Sequence, residues 1–328
     1  KPGDIVLTTP FSFIASSSEI YAHGAHPVYI DIEPITMNMD PELLRVWLKE
    51  NTHQEGNRTI HTLTNKPVTG ILAVNIFGQC ANYTALRQLA TEHHLWIIED
   101  AAQSVGALHT GKASGTLADI SCFSFYPTKN LGAAGDAGML TTNNPALATS
   151  LAKLKNHGRL TQYNYEGFGI NGRMDALQAV ILEEKLLELP RLLERRRAIA
   201  RRYTQALQAF PGVFPPVETD FHTYHQYTIR IEPSLAGLSR DELIAQLTAA
   251  GIGTCIFYPK PLSTIAYLQT DPQLFSDTPV THRVCQTMLS LPIWPELSDV
   301  QVTHIIHTAT DLLTRTVAPI VAQTEPTL

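Results

Sequence analysis

What the sequence has little of narrows its function before any motif is read. Cysteine is scarce: Cys80, Cys122, Cys255 and Cys285 are far apart and make no CxxC pair or metal-type spacing. They read as buried thiols of a reducing compartment, not as a disulfide framework. Positive charge is in deficit, with 24 Lys and Arg against 30 Asp and Glu and a net charge of -6. No basic stripe is left to track a phosphate backbone, so nucleic acid is not expected as a partner. No apolar run reaches the length that crosses a bilayer, and Lys1-Pro2-Gly3-Asp4-Ile5-Val6-Leu7 carries no signal-peptide pattern. A cytoplasmic protein without membrane attachment is expected. The dinucleotide fingerprint GxGxxG is missing; Gly132, Gly135 and Gly138 form GxxGxxG ahead of a strand, which tight turns explain better. GxSxG, the serine-hydrolase elbow, is absent as well. His222 and His225 form an HxxH with no cysteine nearby, whereas a zinc centre needs about three or four converging ligands. No metal is expected.

What is present is a core and an alternation. Hydrophobic residues make up 44% of the 328, enough for a sizeable interior, and the length suits two lobes. Strands are expected over residues 5–9, 27–32, 68–76, 96–99, 120–125 and 138–142. Helices are expected between them, near 15–23, 41–49, 83–93 and 145–155. Asp40 before Pro41 is a helix start, and Gly24 is a helix stop. Such alternation predicts an α/β protein with a mostly parallel sheet between helices, binding its ligand beyond the carboxyl ends of the strands. Residues 51–66 are polar and unpatterned and read as a surface loop without chemistry. A Tyr-, Asn- and Gly-rich loop over 158–172 precedes helices over 175–187 and 190–210, with Glu194-Arg195-Arg196-Arg197 as a solvated face. Residues 1–210 then form a large domain. Residues 211–328 form a smaller α/β one, with strands over 227–231 and 254–258 and helices over 240–250, 281–288 and 298–313.

Two side chains in this framework invite chemistry. Lys129 leaves the strand over 120–125 in a loop with Thr128, Asn130 and Gly132, where a lysine with depressed pKa or a carbonyl cofactor forms Schiff bases. Asp100 follows the buried-type run Trp96-Ile97-Ile98-Glu99, and a carboxylate there is costly without a partner. Lys129, a metal or a protonated heterocycle could be that partner. Enzymes of pyridoxal phosphate (PLP) need an acid at the pyridine nitrogen, a lysine at the aldehyde, and hydroxyl or backbone N–H donors at the phosphate. Asp100, Lys129 and Ser124 could supply them. Taken singly, each has an ordinary alternative: a capping aspartate, a solvated lysine, a strand serine.

Taken together they carry a resemblance. Ile98-Glu99-Asp100-Ala101-Ala102-Gln103, Ser124-Phe125-Tyr126-Pro127-Thr128-Lys129-Asn130-Leu131-Gly132 and Asn171-Gly172-Arg173-Met174-Asp175 resemble signatures of the DegT/StrS sugar-nucleotide aminotransferases, a group of fold-type I PLP enzymes. Pro2-Gly3-Asp4, Asn156-His157-Gly158 and Leu289-Ser290-Leu291-Pro292 echo the same group in the same order. The resemblance implies an aspartate aminotransferase-like architecture, a large PLP-binding domain plus a smaller α/β C-terminal domain. It also implies transfer of an amino group from an amino acid, commonly glutamate, to a nucleotide-linked keto sugar.

In this light Lys129 is the Schiff-base lysine and later moves the proton, and Asp100 pairs with the pyridine nitrogen. Gln103 bonds the cofactor's phenolic oxygen, Ser124 binds its phosphate, and Phe13, with Phe11 the alternative, lies beside the ring. Asn171 reaches the phosphate of another subunit's cofactor, which implies a homodimer with shared active sites. Three departures accompany these assignments. The group's Ser-Gly-Thr-type phosphate loop lies upstream of Pro2, so the chain is expected to be a fragment lacking its first helix, or to hold PLP weakly. Many relatives have His where Phe257 and Ser263 stand, near the sugar. The polar stretch 51–66 is longer than expected. Rivals are a sugar dehydratase of the same fold, which has His in place of the lysine, and an impaired or regulatory protein that kept the fold.

Overall fold

Short apolar runs bounded by turns make the sheet, and capped helices return the chain between its strands. The computed structural model describes residues 1–269 and 271–323, with side chains up to residue 315. β1 (Ile5–Thr8) leads through α1 (Ala15–Ala22) to β2 (His26–Tyr29), and α2 (Pro41–Asn51) leads to β3 (Thr52–Glu55) and β4 (Arg58–His61). β5 (Pro67–Val74), α3 (Tyr83–Glu92) and β6 (Trp96–Asp100) follow. A small hairpin, β7 (Leu108–His109) with β8 (Lys112–Ala113), precedes β9 (Ile120–Ser124) and β10 (Gly138–Thr141). Among the described residues the main sheet has eight strands in the order β10-β9-β6-β5-β1-β2, with the β3–β4 hairpin joined to it through β4 and β5. β1, β2, β5, β6 and β9 are parallel and β10 is antiparallel to β9. Crossover helices cover such a sheet, which is why its strands read as near-continuous apolar runs. Ile5, Leu7, Ile71 and Ile97 are fully buried in its core with Leu44 and Leu86 from the helices.

The helix starts follow capping chemistry. The Asp40 carboxylate accepts from the backbone N–H groups of Glu42 and Leu43 at 2.8 and 3.3 Å with Pro41 in the first turn. Asn82 and Asn144 do the same for α3 and α4 (Pro145–Leu154). After the exposed hairpin β11 (Arg159–Thr161) and β12 (Asn164–Tyr165) comes α5 (Ala176–Leu207). The two helices expected on either side of Pro190 are one 32-residue helix with the proline inside it. A proline removes one N–H, and packing along both halves outweighs that cost here. Leu182, Leu189 and Leu193 pack with Phe125 and Leu131, while Ile199, Tyr203 and Leu207 enter a second core.

That second core surrounds a three-stranded antiparallel sheet of β13 (Val213–Phe214), β14 (Tyr227–Ile231) and, beyond α6 (Pro233–Ala236), α7 (Arg240–Ala249) and α8 (Pro279–Thr287), β15 (Met288–Leu291). α9 (Asp299–Gln323) packs against it. Residues 254–258 are not the expected strand: only Cys255 bridges to Ser290, and Phe257 and Tyr258 turn into an apolar cluster with Phe11, Ile76 and Phe77. β15 takes the place beside β14. Nor are residues 51–66 a loop. Gly56 and Asn57 turn a hairpin whose Thr52–His61 register is regular. Of the cysteines expected to be buried, Cys80 and Cys285 are, Cys122 is half-buried and Cys255 is exposed. Among the described residues no helix is long and apolar enough to cross a membrane.

The start of α8 has a cap distant in sequence. The buried Asp31 carboxylate accepts from Val280 N–H at 2.8 Å, Thr281 N–H at 3.0 Å and the Thr281 hydroxyl at 2.6 Å, so a residue just past β2 caps α8. Asp31→Ala should cost about 2 kcal/mol in denaturant unfolding, because it leaves buried donors without an acceptor. A loss below about 0.5 kcal/mol would show that the cap is replaced.

Candidate active site

Register brings the chemistry to one edge. Val74 stands opposite Asp100 and Asp100 opposite Cys122, so β5 and β6 end level with one another while β9 runs on to Ser124. Asp100 closes β6. Its Oδ1 accepts from Ala102 N–H at 3.1 Å and its Oδ2 from the Ser16 hydroxyl at 2.9 Å, and Ser16 lies 2.7 Å from the Ser12 hydroxyl. Burial pushes the Asp100 carboxyl up from its ordinary range, while those two donors and the Lys129 charge pull it down.

Beneath it, Glu99 is fully buried and surrounded by donors: Asn75 Nδ2 at 2.8 Å, Ser114 Oγ at 2.8 Å, Ser121 Oγ at 2.6 Å and Gly115 N–H at 3.0 Å. This carboxylate anchors the strand end and was missed in the sequence reading. Its signal was there, a charged residue inside an apolar strand that must find partners.

Lys129 sits in a loop folded on itself. Its N–H donates to Tyr126 O at 2.8 Å, and Ala133 N–H closes onto Phe125 O at 2.8 Å. A Cβ at Gly132 would lie 2.4 Å from Pro127 O, so this turn admits only glycine there. Burial holds the Lys129 amine below its ordinary range, and Asp100 opposes that shift. The two side chains thus act on each other's charge across one crevice.

Gln103 is buried and committed on both ends. Its Oε1 accepts from Phe77 N–H at 2.6 Å, and its Nε2 donates to the Tyr258 hydroxyl at 3.1 Å. Phe77 and Gly78 are both left-handed, at φ 57° and 103°. For a phenylalanine that conformation is strained, a feature that concentrates at functional sites. Tyr258, whose hydroxyl burial pushes up to about 12, reaches this site from the segment between α7 and α8; the sequence reading weighed only its neighbours Phe257 and Ser263. Phe257 is half-buried beside it, and Ser263 is buried with its hydroxyl 3.1 Å from that of Thr278. Phe13 lies 6.4 Å from the Tyr258 ring and is 60% exposed, whereas Phe11 is core.

Ser124 ends β9 and accepts from Tyr126 N–H at 3.3 Å. Asn171 stands on the exposed arm, bridged to Asn156 and apart from this cluster. The two HxxH rings go different ways: His222 Nδ1 accepts from Tyr224 N–H at 2.9 Å, while His225 Nδ1 faces Asn130 Oδ1 at 3.3 Å.

This donor set fits PLP. A carboxyl raised by burial wants a cation, a lysine lowered by burial is a ready amine, and a serine hydroxyl lies at the same strand end. An open aromatic ring beside Tyr258 is costly in water and suits a flat heterocycle. Fold and site together define a PLP-dependent aminotransferase of fold type I. Residues 1–310 match the DegT/DnrJ/EryC1/StrS aminotransferase family, and the chain belongs to it. It is 38% identical to a pleiotropic regulatory protein of Geobacillus stearothermophilus, with 93% of this chain and 77% of that one covered. It is 34% identical to the UDP-2-acetamido-2-deoxy-3-oxo-D-glucuronate aminotransferase of Pseudomonas aeruginosa, over 90% of this chain and 76% of that one. A solved DegT DnrJ EryC1 StrS aminotransferase from Brucella abortus superposes with a TM-score of 0.84 at 34% identity, covering 95% of this chain and 80% of that one.

The coupling of Asp100 and Lys129 has a testable sign. The carboxylate favours the ammonium, so Asp100→Asn should lower the amine pKa further. In the PLP-free protein, the rate of reaction with added PLP should then reach its plateau at lower pH than in wild type. A plateau moved to higher pH would refute the coupling.

Proposed function

We propose that the protein, working in the cytoplasm, moves an amino group from an amino acid, glutamate in the first instance, to the keto group of a nucleotide-linked sugar. The observation that carries this reading is the pairing of a burial-lowered lysine, in the loop beyond β9, with a burial-raised aspartate at the end of the neighbouring strand β6. The oxo-sugar nucleotide named for the Pseudomonas aeruginosa relative supplies the substrate class. Bound PLP supplies an electron sink. Everything else falls to the chain.

Lys129 Nζ would hold the cofactor at its aldehyde end and would serve as the amine that takes and returns a proton. Asp100, steadied by Ser16 and Ala102, would hold the cofactor's ring nitrogen in its protonated form. Gln103 gives one amide hydrogen to Tyr258, and we assign the other to the phenolic oxygen. The Ser124 hydroxyl already accepts from Tyr126 N–H, which leaves its own hydrogen for the phosphate. Phe13 covers the ring.

The partner is a second copy of this chain. α4 buries no residue, and Tyr163, Phe168 and Leu177, which flank Asn171 in the sequence, are 80%, 85% and 79% exposed, more open apolar surface than a monomer usually leaves. We assign Asn171 to the phosphate of that second copy's cofactor.

A dehydratase is disfavoured because Lys129 stands where that branch has His. A regulatory protein, the description of the Geobacillus stearothermophilus relative, is the second reading. Near-visible absorbance should appear on adding PLP and be absent in Lys129→Ala, and glutamate should discharge it. A band that glutamate leaves unchanged defeats transfer and favours regulation. For the shared site, Asn171→Ala should weaken PLP retention about tenfold, and Phe168→Asp should shift sedimentation toward the monomer. Wild-type retention and dimer in both would defeat the shared site.

A further inference from the structure

The HxxH that failed as a metal motif has another task. Residues 222–226 run between β13 and β14 and lie against both the Lys129 loop and the strained Phe77–Gly78 turn. Thr223 N–H and Oγ1 donate to Gly78 O at 2.9 and 3.2 Å, and Gln226 N–H donates to Phe77 O at 3.4 Å. A Cβ at Gly78 would lie 2.5 Å from Thr223 Oγ1, so the approach requires glycine. On its other side the same segment grips one amide twice. Asn130 Nδ2 donates to Thr223 O at 3.1 Å, which fixes Oδ1 as the acceptor facing His225 Nδ1 at 3.3 Å. Because an amide oxygen only accepts, His225 must carry its hydrogen on Nδ1 and donate. Asn130 is the residue directly after Lys129.

We propose that Asn130, clamped by Thr223 and His225, is a positioning residue that aims Lys129 into the crevice and keeps it there. The inference rests on the reading of Lys129 as the amine that holds PLP. Buried His225 suits the role. Burial and the Lys129 and Arg196 charges hold it well below its ordinary range, so the ring beside the lysine donates a hydrogen bond without bringing a charge. The charges facing this corner are Asp100 from β6 and Arg196 from α5, whose guanidinium is tied to Tyr224 O and Ile293 O at 3.1 and 2.9 Å. The clamp also joins the lysine loop, through Thr223, Gly78, Phe77 and Gln103, to Tyr258.

Without the clamp the lysine loop can swing toward water, and the amine pKa returns toward that of a solvated lysine. The experiment follows the rate at which PLP-free full-length protein develops near-visible absorbance on adding PLP, as a function of pH, with thermal melting of the PLP-free protein alongside. His225→Phe, which keeps a ring without the donor, should raise the midpoint of the rate–pH curve by about one pH unit and cut the rate at neutral pH about tenfold. Asn130→Ala, at a half-buried loop position, should do the same with little packing loss. His225→Asn restores an N–H near the Nδ1 position and should return the curve to within about threefold of wild type. If both disabling variants keep the wild-type curve, even while melting lower, the clamp is structural only and the proposal is overturned. Failure of His225→Asn to restore the curve also overturns it. A wild-type protein that develops no band overturns instead the reading of Lys129 on which this one rests.

Discussion

Two adjacent carboxylates at the end of β6 face opposite demands, and the site is arranged around that contrast. Glu99 points under the sheet edge, where serine hydroxyls, an asparagine amide and backbone N–H groups satisfy it without leaving the protein. Asp100 points into the crevice with two donors and a lysine charge against the cost of burial. The first carboxylate is structural because its partners are complete. The second has fewer donors against its burial, which leaves it able to act on a neighbouring charge such as that of Lys129. Strand alternation alone produces the contrast, since neighbouring residues face opposite sides of a sheet.

The second constraint is that the site draws on segments distant in sequence. Strand ends of the large sheet place Asp100 and Ser124, the loop beyond β9 places Lys129, and Tyr258 comes from the segment between α7 and α8 to meet Gln103. α5 joins two cores by giving one end to each, and Asp31 fixes the start of α8.

Much of this was legible in the residues. Strand-type runs and helix caps located every parallel strand of the main sheet, and the motifs around Asp100 and Lys129 gave the family. What escaped had physical reasons. The β3–β4 hairpin carries a single apolar residue, Ile60, so its period was hidden, although Gly56-Asn57 marked its turn. Pro190 was read as a boundary because local cost was weighed without the packing that offsets it. Residues 254–258 have strand composition, yet they are needed to carry Tyr258 to Gln103. Glu99 and Tyr258 were overlooked because their value comes from partners distant in sequence. The role proposed for Asn171 calls for a second copy of the chain.

The turn at Phe77 has a consequence for how this protein could change. Its left-handed backbone costs on the order of 1 kcal/mol, a cost that glycine would not incur. A Phe77→Gly chain would recover part of that energy, offset by the loss of a buried ring from the cluster around Phe11. It would also loosen the N–H that holds Gln103 in place. The buried ring is worth more than the backbone strain it imposes, so at this position packing and the hold on Gln103 both favour phenylalanine over glycine.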